Sequence, residues 1–181
     1  PENRMITSPF RFATSLGDWG PLLAANYEAN REEIPNETAF WQSLVKPHST
    51  VLEIGAGSGF LSEALTKTEA RTITLVEPEA ENIKILEKKI PTWKSRAHID
   101  LIASQFENAN VGPHDLIILP FDTLPMISSS QQRAELFKIV SKKLVPGGLF
   151  GVHVSTRAWA HKYIDSTKTL LQYSRTLRNG E

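Results

Sequence analysis

From Thr50 onward, apolar and polar positions fall into a repeating rhythm. Thr50-Val51-Leu52-Glu53-Ile54 is a short apolar run, broken by Gly55, Gly57 and Gly59. Phe60-Leu61-Ser62-Glu63-Ala64-Leu65 follows with apolar residues at helical spacing, so the pattern predicts strand, glycine turn, helix. Residues 72–76 are β-branched and continuously apolar, as suits a strand buried on both faces of a parallel sheet, and they end at Glu77-Pro78. Residues 81–90 predict a helix, with Ile83, Leu86 and Ile90 on one stripe and Pro91 as its stop.

Residues 99–102 form a weaker strand pattern, and residues 115–119 a strong one that Pro120 ends. Ser129-x-x-Gln132 fits a capping box, opening a helix with Leu136, Phe137, Val140 and Leu144 on its apolar face. Pro146-Gly147-Gly148 is read as the turn that ends this helix and leads into a fifth strand over residues 149–154. Strands alternating with helices imply right-handed crossovers: an α/β fold with a doubly wound, mostly parallel sheet and helices on both faces. Ligands of such sheets bind outside the carboxyl ends of the strands, where the strand order reverses. That rule predicts that residues 53–59, Glu77-Pro78, residues 104–106 and residues 120–124 converge on one cleft.

Composition narrows the chemistry. The chain has 181 residues, about one domain by length. It is 40% hydrophobic and 22% charged, as an ordinary globular protein is. Twenty basic residues balance twenty acidic ones, which supplies no general basic footprint for a nucleic acid. The absence of cysteine removes disulfides, thiolate metal sites and cysteine nucleophiles, and no metal site is expected. No apolar run approaches the roughly 18 residues of a membrane span. Pro1-Glu2-Asn3-Arg4 lacks an initiator Met and a signal-peptide core, so the expectation is a processed or cut chain in a cytoplasmic setting.

The strongest chemical signal is residues 51–59. Its glycines permit positive φ and let backbone approach a ligand. A dinucleotide turn would place its third small residue at position 60, which is Phe here. Glu53, two places before the first glycine, is unwelcome beside a pyrophosphate and suits an amine-bearing ligand. Glu77 closes the second strand, where a carboxylate can accept hydrogen bonds from a ribose diol; that role serves a nicotinamide cofactor and S-adenosylmethionine equally. As a plain solvated residue, it would instead open the following helix with Glu79 and Glu81.

Four segments in series resemble class I S-adenosylmethionine-dependent methyltransferases: the glycine loop at residues 51–59, Leu75-Val76-Glu77-Pro78, Asp115-Leu116-Ile117-Ile118, and Leu144-Val145-Pro146-Gly147-Gly148. Together they span about residues 50–154. The resemblance implies S-adenosylmethionine as cofactor, with Gly55, Ala56, Gly57 and Gly59 in the loop beneath its methionine part. Glu53 would contact the amino group, Glu77 and Pro78 would lie at the ribose, Ser104, Gln105 and Phe106 would flank adenine, and Pro120 would border the site. The family often has an acidic residue where Ser104 stands, so a hydroxyl or the Gln105 amide takes over the adenine amino group.

Pro120-Phe121-Asp122-Thr123 is not the motif of methyltransferases acting on exocyclic base amines or glutamine, and it resembles the segment of small-molecule enzymes. The expected reaction is methyl transfer to an N or O atom of a small molecule, with no nucleic acid or membrane partner. Asp122 and His153 are the candidate catalytic residues, the first to orient an amine and the second as a base. His48, His98 and His114 precede strands and belong at the far end, while His161 remains a second candidate base. A catalytically inactive cofactor-binding or partner subunit is the alternative; a nicotinamide-dependent oxidoreductase is a third.

The organisation reads as an N-terminal helical cover over residues 1–49, with Trp19 and Tyr27 and a helix ending near Val45. An S-adenosylmethionine-binding core occupies residues 50–156, and residues 157–181 begin the C-terminal part of the same domain. Only five strands are convincing before residue 155, with one more candidate at residues 171–177 before Asn179-Gly180. The sheet is therefore expected to be incomplete at its C-terminal end, in a truncated chain or one completed by a homodimer mate or partner subunit.

Overall fold

A computed structural model describes residues 36–121, 123–127 and 129–154. Five strands, β1 (Thr50–Ile54), β2 (Thr72–Glu77), β3 (His98–Ala103), β4 (His114–Leu119) and β5 (Leu144–Val152), form one sheet in the order β3-β2-β1-β4-β5. Every pairing is parallel. Among the described residues, four α-helices accompany them: α1 (Glu37–Ser43), α2 (Phe60–Leu65), α3 (Ala80–Lys89) and α4 (Ser130–Lys143). The order reverses between β1 and β4, which opens a crevice at the carboxyl ends of those two strands.

Alternation along the strands divides the core in two. Val51, Ile73, Leu75, Leu116 and Ile118 face Trp41 of α1, Leu61 and Leu65 of α2 and Leu86 of α3. Leu52, Ile54, Val76, Ile117 and Leu119 face Phe106, Val111 and, from α4, Leu136 and Val140. A central parallel strand thus needs apolar residues at nearly every position, and the doubly wound architecture expected of the sequence is the one observed. At the amino ends, Asp115 Oδ2 accepts from Thr50 N at 2.8 Å and Thr50 Oγ1 at 2.7 Å, tying β1 to β4. These bonds hold the Asp115 carboxyl below its usual range. His114 is buried at that same end, its ring between Gly112 O and Thr74 Oγ1, and burial pushes its pKa down.

Pro91 stops the third helix as expected: α3 ends at Lys89 with Ile90 as its C-cap, and the chain leaves it through one 3-10 turn over Ile90–Thr92. Other local expectations are corrected. The fifth strand begins at Leu144, not at residue 149. Leu144 pairs with His114, and the next pair is Leu116 with Leu149, so Pro146-Gly147-Gly148 forms an irregularity within β5 instead of a turn before it. Leu144 therefore belongs to the strand, and His153 lies just past β5 instead of inside it. Phe137 is 41% exposed, its ring edge-on to Phe150 at 5.9 Å, so the buried stripe of α4 is narrower than the sequence pattern suggests. Ser129 does cap α4: its hydroxyl accepts from Gln132 N at 3.0 Å.

Candidate cofactor site at the carboxyl edge of the sheet

The glycine loop leaves β1 and folds over the end of β2. Gly55 N and Ala56 N both donate to Val76 O, at 2.8 and 3.2 Å. Gly57 N donates to Glu77 Oε2 at 2.8 Å, so the carboxylate that ends β2 braces the loop from below. Gly55, Gly57 and Gly59 all have positive φ. The last two need glycine for different reasons. A Cβ at Gly59 would lie 2.7 Å from Leu86 Cδ2 and 3.0 Å from the Trp93 ring, so that position serves the close packing of α2 on α3. A Cβ at Gly57 would meet nothing within 4 Å, so the backbone there faces open space, as a loop lying under a ligand requires.

Beneath the loop sit two carboxyl groups on the same face of the sheet. Glu53 is 1% exposed and accepts from Ser62 Oγ at 2.6 Å. Burial pushes its pKa up to about 8, with the Ser62 bond opposing and the nearby Glu77 charge adding to the rise. Glu77 is 3% exposed; besides Gly57 N, it accepts from Glu79 N at 2.9 Å and Asn82 Nδ2 at 3.2 Å. Burial raises its pKa too, against those three hydrogen bonds. Two desolvated carboxyl groups side by side make a site that gains by receiving a cation or hydrogen-bond donors. The donor set therefore fits the ammonium of an amino-acid moiety near Glu53. For a ribose, Glu77 has about one of its four lone-pair positions still open.

The other predicted segments arrive at the same edge. Ser104 N donates to Glu77 O at 3.1 Å, which seats the β3 turn beside the glycine loop. Ser104 Oγ donates to Gln105 O at 2.8 Å, whereas Gln105 Oε1 is buried with no hydrogen-bond partner. Phe106 is placed in the second core, packed with Leu52, Ile54 and Val76. After β4, Phe121 adopts φ 53°, and its ring lies 5.7 Å from that of Phe60 at the start of α2. Thr123 Oγ1 donates to Pro120 O at 2.7 Å, and the Thr123 methyl lies 3.0 Å from where a Gly55 Cβ would be, closing this turn onto the loop. His153 N donates to Leu119 O at 3.0 Å, which places it alongside Pro120. Asp122, His161, Trp19 and Tyr27 lie outside the described residues, as do residues 171–177.

Sequence reasoning missed Ser62, Asn82 and Thr123. Ser62 was detectable as a polar residue one helical turn before the apolar Leu65 on a short helix. Asn82, five residues after Glu77 in the first turn of α3, gives a weaker signal of the same kind. Thr123 lies in the segment expected at the cleft, but its own part was not legible, because it depends on a contact with a residue 68 positions away.

Among the described residues, no helix is long and apolar enough to cross a membrane. A family model described as "Methyltransferase domain" matches residues 51–148, the segment that holds the sheet and the loop. An uncharacterized methyltransferase-like protein of Schizosaccharomyces pombe is 25% identical over 150 residues, covering 81% of this chain and 55% of its own. The chain thus spans a little over half the length of that curated relative. Among solved structures, the CcbJ methyltransferase of Streptomyces caelestis superposes with TM-score 0.65 at 19% identity, covering 74% of this chain and 56% of that one. The N-methyltransferase NodS of Bradyrhizobium japonicum, in complex with S-adenosyl-L-homocysteine, gives TM-score 0.56 at 19% identity, with 72% and 71% covered. A Methanocaldococcus jannaschii tRNA m1G37 methyltransferase also matches, at TM-score 0.50 and 19% identity over 64% of this chain and 34% of that one, so the fold is common to enzymes with different acceptors. With the family model covering more than half its length, the chain belongs to the methyltransferase-domain family, the class I enzymes whose cofactor is S-adenosylmethionine.

Proposed function

We propose that this protein transfers the methyl group of S-adenosylmethionine to an N or O atom of a small molecule, in a cytoplasmic setting. The observation that carries the cofactor half of this reading is the loop at Gly57, open above and braced from below by Glu77. In the proposed arrangement, Gly55 and Gly57 pass under the methionine part, Glu53 meets its amino group, and Glu77 accepts from the ribose diol through its one open lone-pair position. Gln105 takes the adenine amino group through Oε1, the buried acceptor that lacks a partner. Ser104 is the weaker candidate, since its hydroxyl already donates to Gln105 O. Pro78 and Pro120 border the same edge.

The cofactor supplies an activated methyl on a sulfonium; the chain supplies alignment and the exclusion of water, which can lower the barrier by several kcal/mol. The acceptor half rests on two supports. The balanced charge offers no general basic surface for a nucleic acid, and the printed name of one matched structure is that of an N-methyltransferase. Asp122 remains a proposed orienting group for an amine acceptor.

The test is transfer of a labelled methyl from S-adenosylmethionine by the full chain, offered separately to panels of amines, of phenols and of tRNA. Label in a small-molecule pool is expected. Label confined to tRNA would overturn the acceptor class. Binding of S-adenosylhomocysteine without transfer to any panel would favour the inactive cofactor-binding alternative.

A further inference from the structure

We infer that Glu37 and His153 form a base pair of residues for this reaction, with His153 taking a proton from the acceptor and Glu37 positioning its ring, and that the acceptor atom is a phenolic or enolic hydroxyl. The inference rests on the methyl-transfer reading above and adds to it the acceptor atom and the residue that activates it.

The geometry starts from β5. Its last ladder pair is Leu119 with Val152, so His153 stands one step further, beside Pro120, at the carboxyl edge where the order of strands places ligands. Side chains two apart on a strand share a face. At Gly151 a Cβ would fall 2.7 Å from the Trp41 ring, so His153 faces α1 as well. There its Nδ1 lies 3.2 Å from Glu37 Oε1. The Glu37 side chain is 13% exposed and that of His153 35%, whereas Nδ1 itself is buried, within ion-pair distance of the carboxylate but not aligned as a hydrogen bond. The exposed part of the ring is therefore the side away from Glu37, which carries Nε2.

A carboxylate this close to one ring nitrogen favours, by its charge, the tautomer with the proton on that nitrogen; a small turn of the ring would complete the hydrogen bond and leave the other nitrogen as a lone pair. Among the described residues, Glu37 is the charged group facing this ring; β4 presents Leu119 and Pro120 beside it. On the same helix, Thr38 Oγ1 and Trp41 Nε1 are buried without hydrogen-bond partners, so polar groups on this side of the edge have bonding capacity to spare.

An amine can bind already neutral and needs no base, whereas a hydroxyl nucleophile gains from one whose affinity for protons is near its own. A histidine is therefore best used on an acidic hydroxyl. As the acceptor oxygen bonds to the methyl carbon, its proton passes to Nε2 of His153, and the methyl–sulfur bond breaks with its electron pair left on sulfur. The resulting imidazolium is held beside the Glu37 carboxylate and returns its proton to solvent.

The experiment uses the full chain with labelled S-adenosylmethionine, a phenol panel and an amine panel, and compares wild type with His153→Asn, His153→Gln, Glu37→Gln and Glu37→Asp. Affinity for S-adenosylhomocysteine, read by calorimetry, confirms that each variant is folded. Label in phenols is expected, with kcat down about 100-fold or more in both His153 variants and cofactor affinity unchanged. Glu37→Gln should lower kcat with little change in KM, and Glu37→Asp should restore part of the lost kcat. Label confined to amines, or full kcat without His153, would overturn this inference and leave methyl transfer standing. No transfer to either panel would instead remove the reading on which it rests, and the inference with it.

Discussion

Replacing Glu53 by Gln should make the protein more stable at neutral and alkaline pH, an unusual outcome for removing a carboxylate proposed to meet the cofactor. Glu53 is buried under the glycine loop, and its pKa rises from 4.5 to about 8. In the unfolded chain the same group ionises near 4.5, so between those values the unfolded state holds fewer protons than the folded one. Stability therefore falls as pH rises through that window. At about 1.4 kcal/mol per pH unit, the loss reaches about 3 kcal/mol at pH 7 and about 5 kcal/mol above pH 8. Gln keeps the shape and a partner for Ser62 Oγ but never ionises. Urea unfolding of both proteins from pH 5 to pH 8.5 measures the effect as a difference. The subtraction matters because His114, pushed down by burial, contributes the opposite slope below about pH 6.5 in both proteins. A gap between Glu53→Gln and wild type that widens with pH by a few kcal/mol is expected. Parallel pH profiles would refute the claim that Glu53 is held as a buried acid.

Other outcomes follow from the same geometry. Gly57→Ala should cost only about 1–2 kcal/mol of stability for its positive φ, yet impair binding of S-adenosylhomocysteine, because the added methyl enters the space above the loop. Gly59→Ala adds a collision with Leu86 and Trp93 and should cost about 2–4 kcal/mol in denaturant unfolding; equal losses in the two variants would contradict the separate roles assigned to them. Binding of S-adenosylhomocysteine at pH 7 should release protons, since its ammonium favours ionised Glu53; calorimetry in buffers of different ionisation enthalpy reads this directly, and buffer-independent heats would count against the contact. Ser129→Ala should lower stability by about 1 kcal/mol through loss of the α4 cap, without changing cofactor affinity.

Much of this structure was readable in the sequence because its determinants are local. The apolar runs at Thr50–Ile54, Thr72–Glu77 and His114–Leu119 have no polar face, and only a strand covered on both sides uses such a pattern. The rule that ligands bind at carboxyl ends then brought Glu53, Glu77, Ser104 and Pro120 together without any knowledge of contacts. The misses arise where partner and residue are far apart in sequence. Glu77 looked like a ribose ligand or a helix opener; its bond to Gly57 N, a brace that shapes the loop, depends on β1 and β2 being neighbours. Pro146-Gly147-Gly148 carries a strong turn composition, yet pairing of Leu144 with His114 starts β5 before it. His153 was identifiable as a candidate base, but its neighbour Glu37 comes from a helix 116 residues earlier.

The central claim is that the loop from Gly55 to Gly59, with Glu77 beneath it, is where S-adenosylmethionine sits. Titration of the full chain with S-adenosylhomocysteine, followed by backbone amide NMR, tests this most directly. Saturable shifts centred on the amides of Gly55, Gly57, Glu79 and Gln105, with His98 and His114 at the opposite end unmoved, are expected. Saturation that leaves the glycine-loop amides unchanged, or a response to NAD with none to S-adenosylhomocysteine, would contradict it.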